Sequence, residues 1–401
     1  MGLDIRQYKG FFESLDEPEE MRSLRKASYD SISDGFRFPS YRYSSLVHLP
    51  VPDIDIKEIK NGPDCTIRTD ADDDIVIRKG VSDDIFSRFI KPFSDNQEDQ
   101  TDQLHTTFMN DVLTVEIPDD HRSTRPVVIE IDAGDDALFS SIFIKAGRGS
   151  VSKIIMKRRS SDACPFISTR IDLLLDPKAR MDLIDIQDLS METVTLEKRK
   201  YHLSDSSTLE ASMICMGADY AKADIFSELD GEGADSELKV LDLVTFERKH
   251  NIHAESRHNA QDTHSDISTK AVISDYAKSL NTGKIRIGQQ AFRSAGYETQ
   301  KALLVSDSAE ADAIPDLEIH NNDVKCSHGS AITQIDTEQL FYLMSRGLTR
   351  NEAEQMIIKG FFDEMLEKIG DEDIKYSTDR KIEEMFSRRQ NDDKDGGVVT
   401  R

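Results

Sequence analysis

Tryptophan is missing from this 401-residue chain, and aromatic residues make up only 7% of it. An indole platform for stacking sugars is thereby excluded. Cysteine is scarce as well. Cys65, Cys164, Cys215 and Cys326 stand far apart with no CxxC pair, which fits neither a zinc ribbon nor a disulfide framework. Free thiols suit a reducing compartment, so a cytoplasmic location is expected. No run of eighteen apolar residues occurs, and Met1–Gly10 has no basic start leading into an apolar stretch. Neither membrane spanning nor secretion is expected. Positive charge is in short supply, with 51 Lys and Arg against 76 Asp and Glu and a net charge of −25. Nucleic acid is a poor partner for such a chain, because its phosphates need a basic groove. The acidity reads instead as a solvated, self-repelling surface.

Nucleotide and metalloprotease motifs are also absent. There is no GxxxxGK[ST], no GxGxxG opening a helix and no HExxH. Gly231, Gly233 and Thr282–Gly283–Lys284 read as corners, where glycine relieves strain at positive φ. The chain is not expected to hydrolyse ATP.

What is present is a 37% hydrophobic, 32% charged composition, enough for a soluble protein of two or three domains. In the first hundred residues, Tyr8–Lys26 reads as helix interrupted at Pro18, and Val81–Ile90 as a short helix. The string YRYSSL lies within Pro39–Leu49, Asp70–Asp74 is a carboxylate run, and Ser94–Asp102 has no apolar residue and reads as a linker. From Val112 to Thr333 the pattern becomes β. Val127–Ile131, Ser141–Lys145, Met181–Ile186 and Lys239–Thr245 alternate or carry β-branched runs. Corners are expected at Asp176–Arg180, Ser204–Thr208, Gly231–Ser236, Ser279–Gly283 and Asp307–Ala311. No ten-residue amphipathic helix interrupts this stretch, so a doubly wound α/β sheet is excluded. A sandwich and a β-solenoid both remain open.

After residue 335 the period becomes helical. Asp336 caps a helix that Gly347 ends, and Thr349 with Glu352 forms a capping box for a second helix closed by Gly370. Ala353, Met356, Ile357, Gly360, Phe361 and Met365 form its expected apolar stripe. A third helix near Asp379–Arg389 presents Ile382, Met385 and Phe386, and Gln390–Arg401 reads as a frayed end.

Three groups of residues invite a chemical reading. His250, His253, His258 and His264 are dense, but His250 and His253 would face opposite ways in a strand, and all four are read as surface or corner histidines. Asp182, Asp185 and Asp188 alternate faces and read as a solvated face; no convergent acid pair of a glycosidase is evident. Within IPDLEIHNNDVKCSHGSAITQIDTEQLFYLM (residues 314–344), Cys326 and His328 share a face if extended, in a polar hinge before the capped helix. Thiolate and imidazole both suit iron.

SDISTK at 265–270, LLVSDSAEADAIPDLEIHNNDVKCSHGSA at 303–331 and QLFYLMSRGLTRNEAEQMIIKGFF at 339–362 together resemble the SufD branch of the SufB/SufD family of the SUF iron–sulfur cluster assembly system. YRYSSL at 41–46 and DGEGADSEL at 230–238 add weaker matches, with Tyr41 where the family often has Trp. The resemblance implies a mainly β chain, with a right-handed parallel β-helix at 106–335 flanked by an N-terminal region at 1–105 and a C-terminal helical domain at 336–401. It also implies a non-catalytic subunit of a SufB–SufC–SufD complex. The β-helix would pair with a SufB-like paralogue or with itself, and the C-terminal helices would bind SufC, an ABC-type ATPase that hydrolyses the ATP.

Carried over by position, His328 and Cys326 are the implied metal residues for an iron or nascent-cluster site at the subunit interface. Gln339, Phe341, Tyr342, Arg346, Gly347, Met356 and Phe361 fall in the implied ATPase-binding region. Reduced flavin on the complex is left open by the resemblance. SufB-like members carry a cysteine where this chain has Ala309 and a glutamate where it has Gly329. A self-sufficient homodimeric scaffold is therefore the weaker alternative, and a polysaccharide-active β-helix enzyme weaker still.

Overall fold

The computed structural model describes residues 19–32, 59–60, 62–80 and 100–394, with single positions at 5, 10, 11, 15 and 17. The string at Pro39–Leu49 with Tyr41 and the helix expected at Val81–Ile90 lie outside the described residues.

Among the described residues, eighteen strands form two nine-stranded sheets that share the chain alternately. One has the order β1-β4-β6-β8-β10-β12-β14-β16-β18 and the other β17-β15-β13-β11-β9-β7-β5-β3-β2. From β3 (Asp111–Ile117) to β18 (Lys325–Gln334), each strand pairs in parallel with the strand two along in sequence. That connectivity decides between the two β architectures: the chain is a parallel β-helix, a solenoid of about eight turns. Successive coils stay in register; Asp235, His264, Ala295 and Lys325 stand one above another. One end is closed by β1 (Cys65–Asp70) and β2 (Val76–Lys79), which run antiparallel to β4 and β3. The carboxylate run seen in the sequence helps there, since Asp72 accepts hydrogen bonds from Thr124 N and Oγ1 at 2.8 and 2.7 Å.

The corners are built on stacked left-handed residues. Gly149, Lys178, Ser206, Gly233, Asp262 and Arg293 all have φ between 53° and 69°, and each N–H donates to a carbonyl of the next coil. A non-glycine residue is strained there, and the inter-coil hydrogen bond helps to offset that strain. Four of these six lack the glycine signature, which explains why the repeat was hard to read. Ser279–Gly283, expected as a corner, lies inside β15 (Lys278–Ile287), whereas Asp307–Ala311 opens on the expected turn and only Glu310 and Ala311 belong to β17 (Glu310–Ile319). Gly283 is needed in the strand because a Cβ would overlap the Glu298 carboxyl, which reaches it from β16 in the facing sheet.

Alternation along each strand sends Ile, Leu, Val and Ala inward into one continuous core that includes Ile129, Ile154, Leu183, Met213, Val240 and Ile267. Outer faces are covered by helices at opposite ends of the chain. α1 (Glu19–Ile32) starts directly after Pro18, and α2 (Gln100–Phe108) packs Leu104 and Phe108 on Phe139, Phe166 and Leu196. The expected linker Ser94–Asp102 therefore ends in helix. Asp102 is buried there against Lys198 Nζ at 2.6 Å; residues 94–99 lie outside the described residues.

The other sheet is covered by C-terminal helices. α3 (Thr337–Ser345) is capped by Asp336, and α4 (Arg350–Ile369) opens on the Thr349–Glu352 capping box and ends at left-handed Gly370. α5 spans Glu372–Lys394, longer than expected; residues 395–401 lie outside the described residues. Ile358, Phe362, Met365, Leu366, Ile369 and Ile382 pack on Ile184, Ile214, Leu241 and Val272. The inward stripe of α4 is therefore rotated from the expected one, and Met356 is left on the solvent side.

Candidate metal and partner-binding site

The end of the solenoid opposite β1 and β2 has no cover among the described residues, because β17 and β18 are the last strands of their sheets. β18 is exposed along nearly all of its length. Residues 325–334, expected in part as a hinge, are strand, and pairing with β16 (Ala295–Leu304) sets the register: Gly296 opposite Cys326, Glu298 opposite His328. The strand alternation places Cys326 and His328 on one face, as expected. Cys326 is half-buried against the interior core, and burial raises its thiol pKa. His328 is exposed.

Glu298 was not singled out from the sequence. It is 2% exposed, one oxygen accepts from Gln300 Nε2 at 2.7 Å, and the other has no partner. Burial pushes its pKa up to about 8, so at neutral pH a protonated carboxyl lies one coil below the His328 position. Only the coil length reveals that relationship, and the sequence did not show it among so many carboxylates. Near this end Ala309 is buried beside Ala277 and Ala302, and a side chain at Gly329 would meet open space.

The residues implied in partner binding divide into two sets. On α3, Gln339 is exposed, and Phe341 and Tyr342 are 74% and 56% exposed, with Met356 of α4 at 52%. Arg346 lies over the Tyr342 ring at 5.1 Å and donates to its hydroxyl at 3.1 Å. Gly347 has φ 99° and turns the chain after α3. Phe361 differs: it is half-buried against the sheet-facing cluster, and Lys270 Nζ lies 5.3 Å from its ring centre.

Two readings of polar residues need correction. Asp185 is not on a solvated face. It is fully buried in the coil and accepts from Arg158 Nε at 3.0 Å, while Glu197 accepts from Arg158 Nη2 at 2.9 Å and from Arg199 Nε at 2.6 Å. Burial works to raise the Asp185 pKa, but Arg158 and Arg199 outweigh it and hold the carboxyl below its ordinary value. His250 and His258 are completely buried and His253 nearly so; only His264 is exposed. An interior with room for polar residues accounts for Asp185, His250 and His258, since a solenoid's inward face continues from coil to coil and its polar groups can pair there; His253, on the other strand face, is buried against Phe226 and Thr282.

Among the described residues, the group of three potential ligands whose atoms come within 4.8 Å of one another is Cys215, Asp242 and His250. Cys326 and His328 are not part of such a group.

Residues 129–361 match the SufBD core domain of the SUF system for FeS cluster assembly. The chain belongs to the SufBD family. It is similar to the iron–sulfur cluster assembly protein SufD of Escherichia coli K12, with 32% identity over 43% of this chain and 41% of that protein. It is also similar to an iron–sulfur cluster assembly SufBD family protein of Mycobacterium bovis, with 29% identity over 53% of this chain and 56% of the relative. A homologue from Mycobacterium leprae is 24% identical over 67% of this chain and 70% of its own length. The match spans about half the length of the first two relatives. No helix among the described residues of this SufBD-family chain is long and apolar enough to cross a membrane.

Proposed function

We propose that this SufBD-family chain is the SufD-like, non-catalytic subunit of a cluster-assembly complex with a SufB-like paralogue and a SufC-like ABC-type ATPase. The observation that carries this reading is the asymmetry of the solenoid. One end is closed by antiparallel strands, and the other ends on the exposed strand β18 carrying Cys326 and His328. An uncovered strand edge is a template for pairing with another chain. Pairing there brings a sister subunit's ligands against His328, and the cargo, iron or a nascent cluster, is held between the two. With Ala309 and Gly329 in place of stronger ligands, this chain supplies part of that site.

The exposed aromatic and Met side chains of α3 and α4 suit the ATPase, whose hydrolysis drives the complex. In this reading residues 1–105 form an N-terminal region, 106–335 the β-helix and 336–401 the ATPase-binding domain. A cytoplasmic setting keeps the thiols reduced.

Co-purification with the SufB-like and SufC-like proteins of the same genome tests the proposal. Both partners are expected to be retained by the full chain, and the ATPase alone to be lost on deleting residues 336–401. A full chain that retains no ATPase overturns the assignment.

A further inference from the structure

Midway along the solenoid, three side chains converge inside the coil. Cys215 ends β10 (Thr208–Cys215), Asp242 lies on β12 (Asp235–Val244) directly opposite it in register, and His250 reaches them from β13 (Lys249–His258) in the other sheet. All three are completely buried. His250 Nδ1 is 2.6 Å from Asp242 Oδ1 and 3.7 Å from Cys215 Sγ.

The thiol and the carboxylate both approach the same ring nitrogen. A nucleophile–base relay places them at opposite nitrogens, so this geometry is not one. It does suit a shared cation. Tetrahedral zinc, with bonds of about 2.3 Å to sulfur and 2.0 Å to nitrogen, holds such ligands roughly 3.5 Å apart. Sulfur and nitrogen already stand near that spacing, and the carboxylate needs to move only slightly.

The surroundings are arranged for the same purpose. Gln187 is the in-register neighbour of Cys215 on the preceding coil, completely buried, with Oε1 3.1 Å from Sγ and Nε2 unpartnered. Its amide oxygen is available as a fourth ligand. Ser279 Oγ donates to the second oxygen of Asp242 at 3.0 Å and so fixes the carboxylate's orientation. The nearby arginines Arg158 and Arg199 are paired with Asp185 and Glu197. Asp242 has the His250 ring as its potential counter-charge, and a neutral ring leaves the buried carboxylate without one, which is costly.

We propose that Cys215, Asp242 and His250 form an interior site for one divalent transition-metal ion of the zinc or ferrous class, completed by the Gln187 amide. On binding, the thiol proton leaves to solvent and a thiolate–metal bond forms, with no change of oxidation state. The site is separate from the open-end residues Cys326 and His328 and does not depend on the partner reading.

Cobalt(II) serves as the probe. The full chain carrying Cys326→Ser and His328→Ala is produced in cobalt-supplemented medium, treated briefly with chelator and desalted. The expected result is about one cobalt per chain, with a thiolate-to-cobalt charge-transfer band and the visible bands of a tetrahedral ion. Adding Cys215→Ser or Asp242→Asn should remove the charge-transfer band or lower retained metal at least tenfold, respectively. Should one variant fail to fold, the other decides. Absence of the charge-transfer band in the parent, or its survival in a folded Cys215→Ser variant, overturns the site.

Discussion

Glu298 and His328 occupy the same position on adjacent coils, one buried and the other exposed at the solenoid's open end. The carboxyl keeps its proton at neutral pH because burial disfavours the charge. A cation arriving near His328 would favour release of that proton.

Glu298 also makes stability depend on pH in a direction opposite to most acids. Unfolded, it releases its proton near 4.5; folded, it keeps the proton until about 8. The folded state binds more protons between those values, so stability falls as pH rises through this window. The full effect is on the order of 5 kcal/mol by linkage. Glu298→Gln should match the wild type at pH 4 and exceed it at pH 8 in denaturant unfolding. Equal midpoints at pH 8 would sink the idea.

The buried histidines act at the acid end. Burial, with a smaller contribution from His264, lowers His258 to about 4, and burial also holds His105, between Ser141 and Ser168, well below its ordinary value. Unfolded histidines take up protons near 6.5, so stability is lost as pH falls below that value. His258→Gln should flatten part of this acid limb between pH 6.5 and 4. The check is the slope of midpoint against pH, with wild type and variant compared in the same buffers.

His328→Ala should impair cluster maturation by the assembled complex while leaving the melting temperature within a degree or two and ATPase retention intact, since its side chain is exposed. Maturation measured on a purified acceptor protein checks this. Wild-type rates from the variant would reduce His328 to a surface residue.

The buried ion cluster should be sensitive to loss of one member. Asp185→Ala leaves Arg158 and Arg199 short of counter-charge, a change that costs about 3–5 kcal/mol in buried pairs. Equilibrium unfolding should show a large fall in midpoint. A shift no greater than that of a surface Asp→Ala control would contradict the pairing described.

Phe341→Asp with Tyr342→Asp should abolish ATPase retention without lowering thermal stability, because both side chains are exposed and Leu340 is the buried anchor of α3. Met365→Asp, by contrast, should unfold the helical cover. Retention of the ATPase by the folded double variant would move the docking surface elsewhere.

Much of the C-terminal third was legible because its signals are local. Asp336, the Thr349–Glu352 box and Gly370 act within one turn of helix. The face that α4 buries was not local, since it depends on Ile184, Leu241 and Val272 lying far away in the chain. The expected stripe therefore included Met356, which remains exposed, and missed Ile358 and Phe362.

The sequence by itself determined that the middle of the chain is β, that helices flank it, and that Cys326 and His328 share a strand face. Each of these rests on spacing within a few residues. Only the tertiary structure decided which residues meet across coils. It placed Glu298 beneath His328, Asp185 between two arginines, and Cys215 with Asp242 and His250. In a solenoid the stacked contacts join residues about thirty positions apart and others cross between the facing sheets, and a coil length that varies with each corner leaves no fixed period from which to read them.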